Sequence, residues 1–113
     1  MSESTTAGTN PMTEVSAEYL ADIRLRVRTA ATKLDREVKD LILAARADLV
    51  GGGVLPAKAA DESDPLVKQA VSTYVKAEFG LDNEDAEKYQ ASFEKQKIAL
   101  ALASDYIEGA EGV

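Results

Sequence analysis

The stretch DPLVKQAVSTYVKAEFG, Asp64 to Gly80, holds a complete helix with its own start and stop. Asp64 is placed to accept hydrogen bonds from the free backbone N–H groups of a first turn. Pro65 follows at the first helical position, where its missing N–H costs nothing. Gly80 sits where a left-handed closing residue is wanted. Between them Leu66, Val67, Ala70, Val71, Tyr74, Val75 and Phe79 recur at helical spacing and make one broad apolar face. Lys68, Gln69, Ser72 and Lys76 fall mostly on the other side. The spacing predicts a packing helix over 65–79, with nothing in it arranged for a reaction.

The neighbouring segments read the same way. Upstream, TKLD at 32–35 is a capping-box type of start, with Thr32 as cap and Asp35 three residues on. Leu34, Val38, Leu41, Ile42, Ala45 and Leu49 form one stripe, and Gly51, Gly52 and Gly53 end it. Residues 51–63, rich in Gly, Pro and small side chains, read as a loop in which Val54 and Leu55 tuck in. Further back, Thr13 or Ser16 caps a helix with Tyr19, Leu20, Ile23 and Val27 at helical spacing. IRLRVR at 23–28 alternates like a strand, and helix to about Arg26 is the preferred reading. Residues 1–12, rich in Ser, Thr, Gly and Asn, read as a disordered arm.

Downstream, Asp82 or Asn83 caps a last helix over 84–106, where Glu84 and Asp85 suit the positive end of its dipole. Its length is about 33 Å. Tyr89, Phe93 and Leu100 lie along one side of it, and Ile98, Ala101 and Leu102 along a neighbouring one. Two stripes mean packing on more than one side, either as a central helix touched by all the others or as a helix that also meets another subunit. Residues 109–113 read as a frayed end. The expectation is an all-α domain over 13–108, bundle-like, with four helices near 16–26, 33–50, 65–79 and 84–106. Leu41, Ile42, Val71, Tyr74, Val75, Phe93 and Leu100 are its expected core.

Composition narrows the chemistry. A chain of 113 residues supports one domain, which buries roughly 65% of the surface its unfolded chain exposes. Aromatic residues are few, so the core is built from Leu, Val, Ile and Ala. With no Cys, disulfides, thiolate catalysis and Cys-metal sites are excluded. With no His, the commonest general base and metal ligand is missing. The acids of DNEDAE, 82–87, sit in too short a turn for a Ca²⁺ loop and suit a helix N-terminus better. The glycine run is followed by no Gly-Lys-Ser/Thr, so it is a helix stop and not a phosphate loop. No cofactor is expected, and an enzyme is not. No apolar run reaches the ~20 residues of a membrane span, and the N-terminus has no signal-peptide pattern.

The net charge is −7 and is unevenly placed. All five arginines lie between Arg24 and Arg46, whereas residues 51–113 carry twelve acids and six bases. So acidic a chain is a poor non-specific binder of nucleic acid. One reading of the arginines is a solvated, partly salt-bridged face. The other is a basic patch that meets the acidic patch of a second copy, a head-to-tail contact that closes into a ring. The candidate interface residues are Arg24, Arg26, Arg28 and Arg36 on one side and Glu84, Asp85, Glu87 and Glu94 on the other.

In their order and spacing, DREVKDLILAARADLVGGGV and DPLVKQAVSTYVKAEFGLDNEDAEKYQASFEKQKIALALASDY resemble the small head-tail connector proteins of long-tailed bacteriophages, also called head-completion or adaptor proteins. The pieces that carry the resemblance are Asp64-Pro65-Leu66, Tyr74, Phe79-Gly80, Asp82-Asn83, Ala86-Glu87-Lys88-Tyr89 and Ser104-Asp105-Tyr106. It spans about Asp35 to Tyr106. It implies a structural virion protein: a homo-oligomeric ring, usually of twelve copies, docked beneath the portal protein. Such a ring extends the DNA channel without binding DNA specifically and meets a downstream connector, stopper or tail-completion protein. It also implies location at the head-tail interface of the virion, and in the host cytoplasm during assembly. Asp105, Tyr106 and Ile107 are the candidate portal contacts. The N-terminal arm departs from the compact pattern, and a long portal-gripping tail after Tyr106 is not expected. Two other readings stay open: a small acidic helical regulatory or adaptor protein acting by protein-protein binding, and an enzyme accessory domain.

Overall fold

The computed structural model describes residues 11–27, 35–78 and 85–103. A single 3-10 turn, Pro11–Thr13, precedes helix α1, Ala17–Arg26. Ser16 starts that helix: its hydroxyl accepts a hydrogen bond from the Tyr19 N–H at 3.0 Å, satisfying a donor that the first turn leaves open. The strand-like alternation of IRLRVR is overridden, because Tyr19 and Ile23, one turn apart, are the residues buried on this helix.

Helix α2, Asp35–Gly51, buries Val38, Ile42, Ala45 and Leu49 along one stripe. The glycines after it form a full Schellman closure. The Val54 N–H donates to the Leu49 carbonyl and the Gly53 N–H to the Val50 carbonyl, each at 3.0 Å. Gly53 has φ +112°, which side-chain-bearing residues rarely adopt. Val54 and Leu49 then join the same core, as the anchoring role expected of Val54 requires.

The expected loop over 51–63 contains a helix that the residues did not announce: α3, Pro56–Ala59. Pro56 presets φ for a first turn, and Ala57, Lys58 and Ala59 are good helix formers. Ala59 is buried, so tertiary contact fixes one turn that propensity alone would not. The chain leaves it through a local turn in which Asp61 accepts from the Ser63 N–H at 3.0 Å and from its hydroxyl at 2.6 Å. Both bonds hold the Asp61 carboxyl below the usual carboxylate range.

Helix α4, Pro65–Glu78, starts as its sequence dictates. Asp64 Oδ1 accepts from the N–H groups of Leu66 at 2.9 Å and Val67 at 3.2 Å. Val67, Ala70, Val71 and Val75 are buried. Ser72 is buried too, and its hydroxyl is satisfied by the Lys68 carbonyl at 2.8 Å. Helix α5, Ala86–Leu102, lies against α4 and buries Phe93 and Leu100. It begins two residues later than expected, with Asp85 at the cap position and no side-chain capping bond. It ends at Leu102, four residues short of the expected end, because Ala103 is extended at φ −80° and ψ 130°. The Thr32, Gly80, Asp82 and Asn83 expectations lie outside the described residues.

The architecture is all-α, with four long helices plus α3 and no strand among the described residues. Helix α2 packs on α1 and α4, and α5 packs on α4. Of the expected core, Ile42, Val71, Val75, Phe93 and Leu100 are buried. Leu41 and Tyr74 are half-buried and pack against the core from its edge. Tyr74 meets Phe93 edge to face at 5.1 Å between ring centres, an arrangement worth about 1 kcal/mol beyond area burial. Two ion pairs tie the layers together: Lys68 with Asp22 at 2.6 Å across α4 and α1, and Lys97 with Asp48 at 2.7 Å across α5 and α2.

Candidate assembly surface

The arginines do not form one face. Arg24 is spent inside the chain, its Nε 2.9 Å from Asp35 Oδ1, pairing α1 with the first residue of α2. The N–H does not point along that line, so the contact is ionic and not a hydrogen bond. Arg26 and Arg36 are exposed. Arg28 lies outside the described residues.

Arg46, grouped with the others in the sequence, is the exception. Its relative exposure is 0%. Nη1 donates to the backbone carbonyls of Pro11 at 3.1 Å, Met12 at 3.4 Å and Glu14 at 2.8 Å. Nη2 is 3.5 Å from Glu62 Oε2. Glu62 in turn accepts from the Ser16 N–H at 2.9 Å and hydroxyl at 2.7 Å. A guanidinium therefore ties the turn before α1, the N-cap of α1 and the segment before α4 into one unit. The signal for this was present: Arg46 stands four residues after Ile42 and three before Leu49, inside the apolar stripe of α2. A charge at such a position must be paired.

On the acidic side, Asp85, Glu87 and Glu94 are exposed on or beside α5. Glu94 is 3.1 Å from Lys97. Lys97 is shared with Asp48, whose hydrogen bond raises its pKa above the usual lysine value despite partial desolvation. An open groove of about 370 Å³ lies between α4 and α5, bordered by Asp48, Tyr74, Glu78, Gln90, Phe93 and Glu94. Burial pushes the Tyr74 phenol up, and the charges of Glu78 and Asp48 add to it. Glu84, Asp105, Tyr106 and Ile107 lie outside the described residues.

The two stripes of α5 have different fates. Phe93 and Leu100 face α4 and are buried. Ile98 is 57% and Leu102 77% exposed. Helix α5 packs mainly on α4 and meets α2 through Lys97 and Asp48, so it is not a central helix touched by all the others. Of its second stripe, Ala101 is half-buried beside Gly53, and Ile98 and Leu102 are left open. Leu25, at the end of α1, is 74% exposed.

Among the described residues no group of three or more acids is placed to hold a metal ion. No helix there is long and apolar enough to cross a membrane. The conspicuous features are surfaces: exposed acids and the open Ile98 and Leu102 on the last helix, and the exposed Arg26 beside the exposed Leu25 at the end of α1.

No curated protein and no solved structure matches the chain. A family model does, over residues 20–107, and it is described as phage connector protein. That span contains the α1 terminus, the glycine closure, the Asp64-Pro65 start and the whole of α5. The chain belongs to the phage connector protein family and is a structural head-tail connector of a bacteriophage.

Proposed function

We propose that this connector acts as the adaptor between head and tail. Copies of the chain, twelve in number, form a ring docked beneath the portal protein and extend the channel through which DNA passes. The far side of the ring receives a stopper or tail-completion protein. The protein works by binding and catalyses nothing. The host cytoplasm is where it folds before joining the virion.

The observation that carries this reading is the open stripe of α5, with Ile98 and Leu102 on a helix that buries its other side on α4. A small acidic domain gains solubility from its charge and has no use for such a stripe unless a protein covers it. The net charge of −7 favours a channel past which DNA moves without being held. The test is a stop codon early in the gene, with electron microscopy of the particles. DNA-filled or leaking heads without tails are expected, together with a ring of twelve copies under the portal in wild-type particles. Tailed, infectious particles from the mutant would overturn the proposal.

A further inference from the structure

We infer that the end of α1 in one copy seats on the outward stripe of α5 in the next, with Leu25 against Ile98 and Leu102 and Arg26 against Glu87 and Glu94. The inference rests on the ring proposed above and names the two faces that build it.

The stripe is set by helical spacing. Glu87, Ala91, Glu94, Ile98 and Leu102 follow one another at intervals of three or four residues and lie on one face of α5. All five are exposed. The N-terminal half of the face is acidic and its C-terminal half is apolar. The end of α1 offers the complement: Leu25 is 74% exposed, and Arg26, next to it, is exposed as well.

Coverage decides which occupant fits. If the stripe paired with its own copy, the exposed Lys88 and Lys95 beside it would meet Glu87 and Glu94, but Leu25 and Arg26 would stay uncovered. Seated against α1, the acids meet Arg26 while the apolar half meets Leu25, so one contact covers both exposed sites on every copy. The two patches are different surfaces of the chain, since α1 packs chiefly on α2 and α5 chiefly on α4. A contact between two different patches is heterologous and propagates head to tail until the rotation closes. Arg24, held by Asp35, and Arg46, buried, are not available for it.

The chain has no cysteine, so maleimide links between its copies can form only through the thiols introduced. Leu25→Cys and Ile98→Cys are both at exposed positions, so both variants should fold as the parent does. Phage particles are assembled from a mixture of the two single variants, and separately from each alone, then treated with a short bis-maleimide. The mixture should give cross-linked dimers, and the single variants none. The variant with both substitutions should give a ladder of higher oligomers. Arg26→Glu should lower the cross-link yield roughly fivefold, the scale of one lost ion pair of about 1 kcal/mol, and Glu94→Arg in the partner variant should restore it. Cross-linking by Ile98→Cys alone would show a stripe-to-stripe pair and overturn the inference. Failure of the mixed pair, while a lysine-reactive linker still joins copies, would overturn these faces and leave the ring standing. No linkage between copies by either reagent would overturn the ring itself.

Discussion

The guanidinium carbon of Arg46 lies 5.7 Å from the ring centre of Tyr19, and both side chains are buried. Lys68 approaches the same ring, its ammonium 5.4 Å from the centre. The tyrosine is thus a floor on which two cations rest, and Arg46 carries the turn before α1 on its other side. Replacing Arg46 with alanine removes this contact, takes one donor from each of three backbone carbonyls and opens a cavity. Urea unfolding of Arg46→Ala should show a loss of about 3–5 kcal/mol. Arg46→Met, which keeps volume but not donors, should lose less, about 1–3 kcal/mol. In both, limited proteolysis should quicken near residues 11–15 before the helices are cut. Unchanged cutting there would show that the turn is held by something else.

Tyr19 makes stability depend on alkaline pH. Burial raises its pKa from 10.0 to about 12, against the lowering effect of the Arg46 charge. Between those values the folded chain keeps a proton that the unfolded chain has lost. The stabilisation is therefore complete below pH 10 and is lost as pH rises towards 12, by an amount on the order of 2 kcal/mol. Chemical denaturation at pH 9 and pH 11 should show a larger decline for the parent than for Tyr19→Phe, which has no phenol to ionise. Equal declines would mean that other groups, Tyr74 and the lysines among them, drive the loss.

The three consecutive glycines should separate in a substitution series. Gly53 has φ +112°, so Gly53→Ala should cost about 1–2 kcal/mol. A Cβ on Gly52 would stand 2.8 Å from Lys97 Cδ and would push that lysine away from Asp48, for a loss of about 1 kcal/mol. A Cβ on Gly51 meets nothing within 4 Å. Gly51→Ala should add about 0.5–1 kcal/mol, the helix-propensity difference. Thermal melts of the three variants give the order directly, and any other order would misassign the closure.

Much of this fold was legible because its signals are local. Ser16, Asp64-Pro65 and the glycine run act on backbone groups within a few residues, so their effect can be read without knowing what packs where. The buried halves of α2, α4 and α5 followed from 3.6-residue spacing. What spacing cannot give is the far side of a contact. Arg46 looked like one of five surface arginines, because the acceptors that bury it lie 32 to 35 residues away in the chain. Helix α3 was missed for the same reason: one turn in a small-residue loop is decided by the core it touches. Leu41 and Tyr74 sit on their apolar stripes but at the edges, where neighbouring helices cover them only partly. For the assembly surface, sequence supplied the charge segregation and the two stripes of α5. Only the packing could tell that Arg24 is already paired and that the Ile98 stripe is open.

Two acidic substitutions at apolar helix positions should behave oppositely. Val71 is fully buried on α4, and Ile98 is 57% exposed on α5. Val71→Asp puts an uncompensated carboxylate among Val67, Ala70 and Val75 and should cost several kcal/mol, enough to unfold a domain of this size at ambient temperature. Ile98→Glu meets water, and its effect on the unfolding free energy should stay within about 0.5 kcal/mol. Circular dichroism melts of both variants decide this. Ile98→Glu should melt with the parent and still be under-represented in assembled particles, because it adds a third carboxylate to a stripe that already has Glu87 and Glu94. A parent-like melt with parent-like incorporation would show that this face of α5 meets nothing in the virion. A collapsed melt would instead show that the stripe is covered within the chain itself.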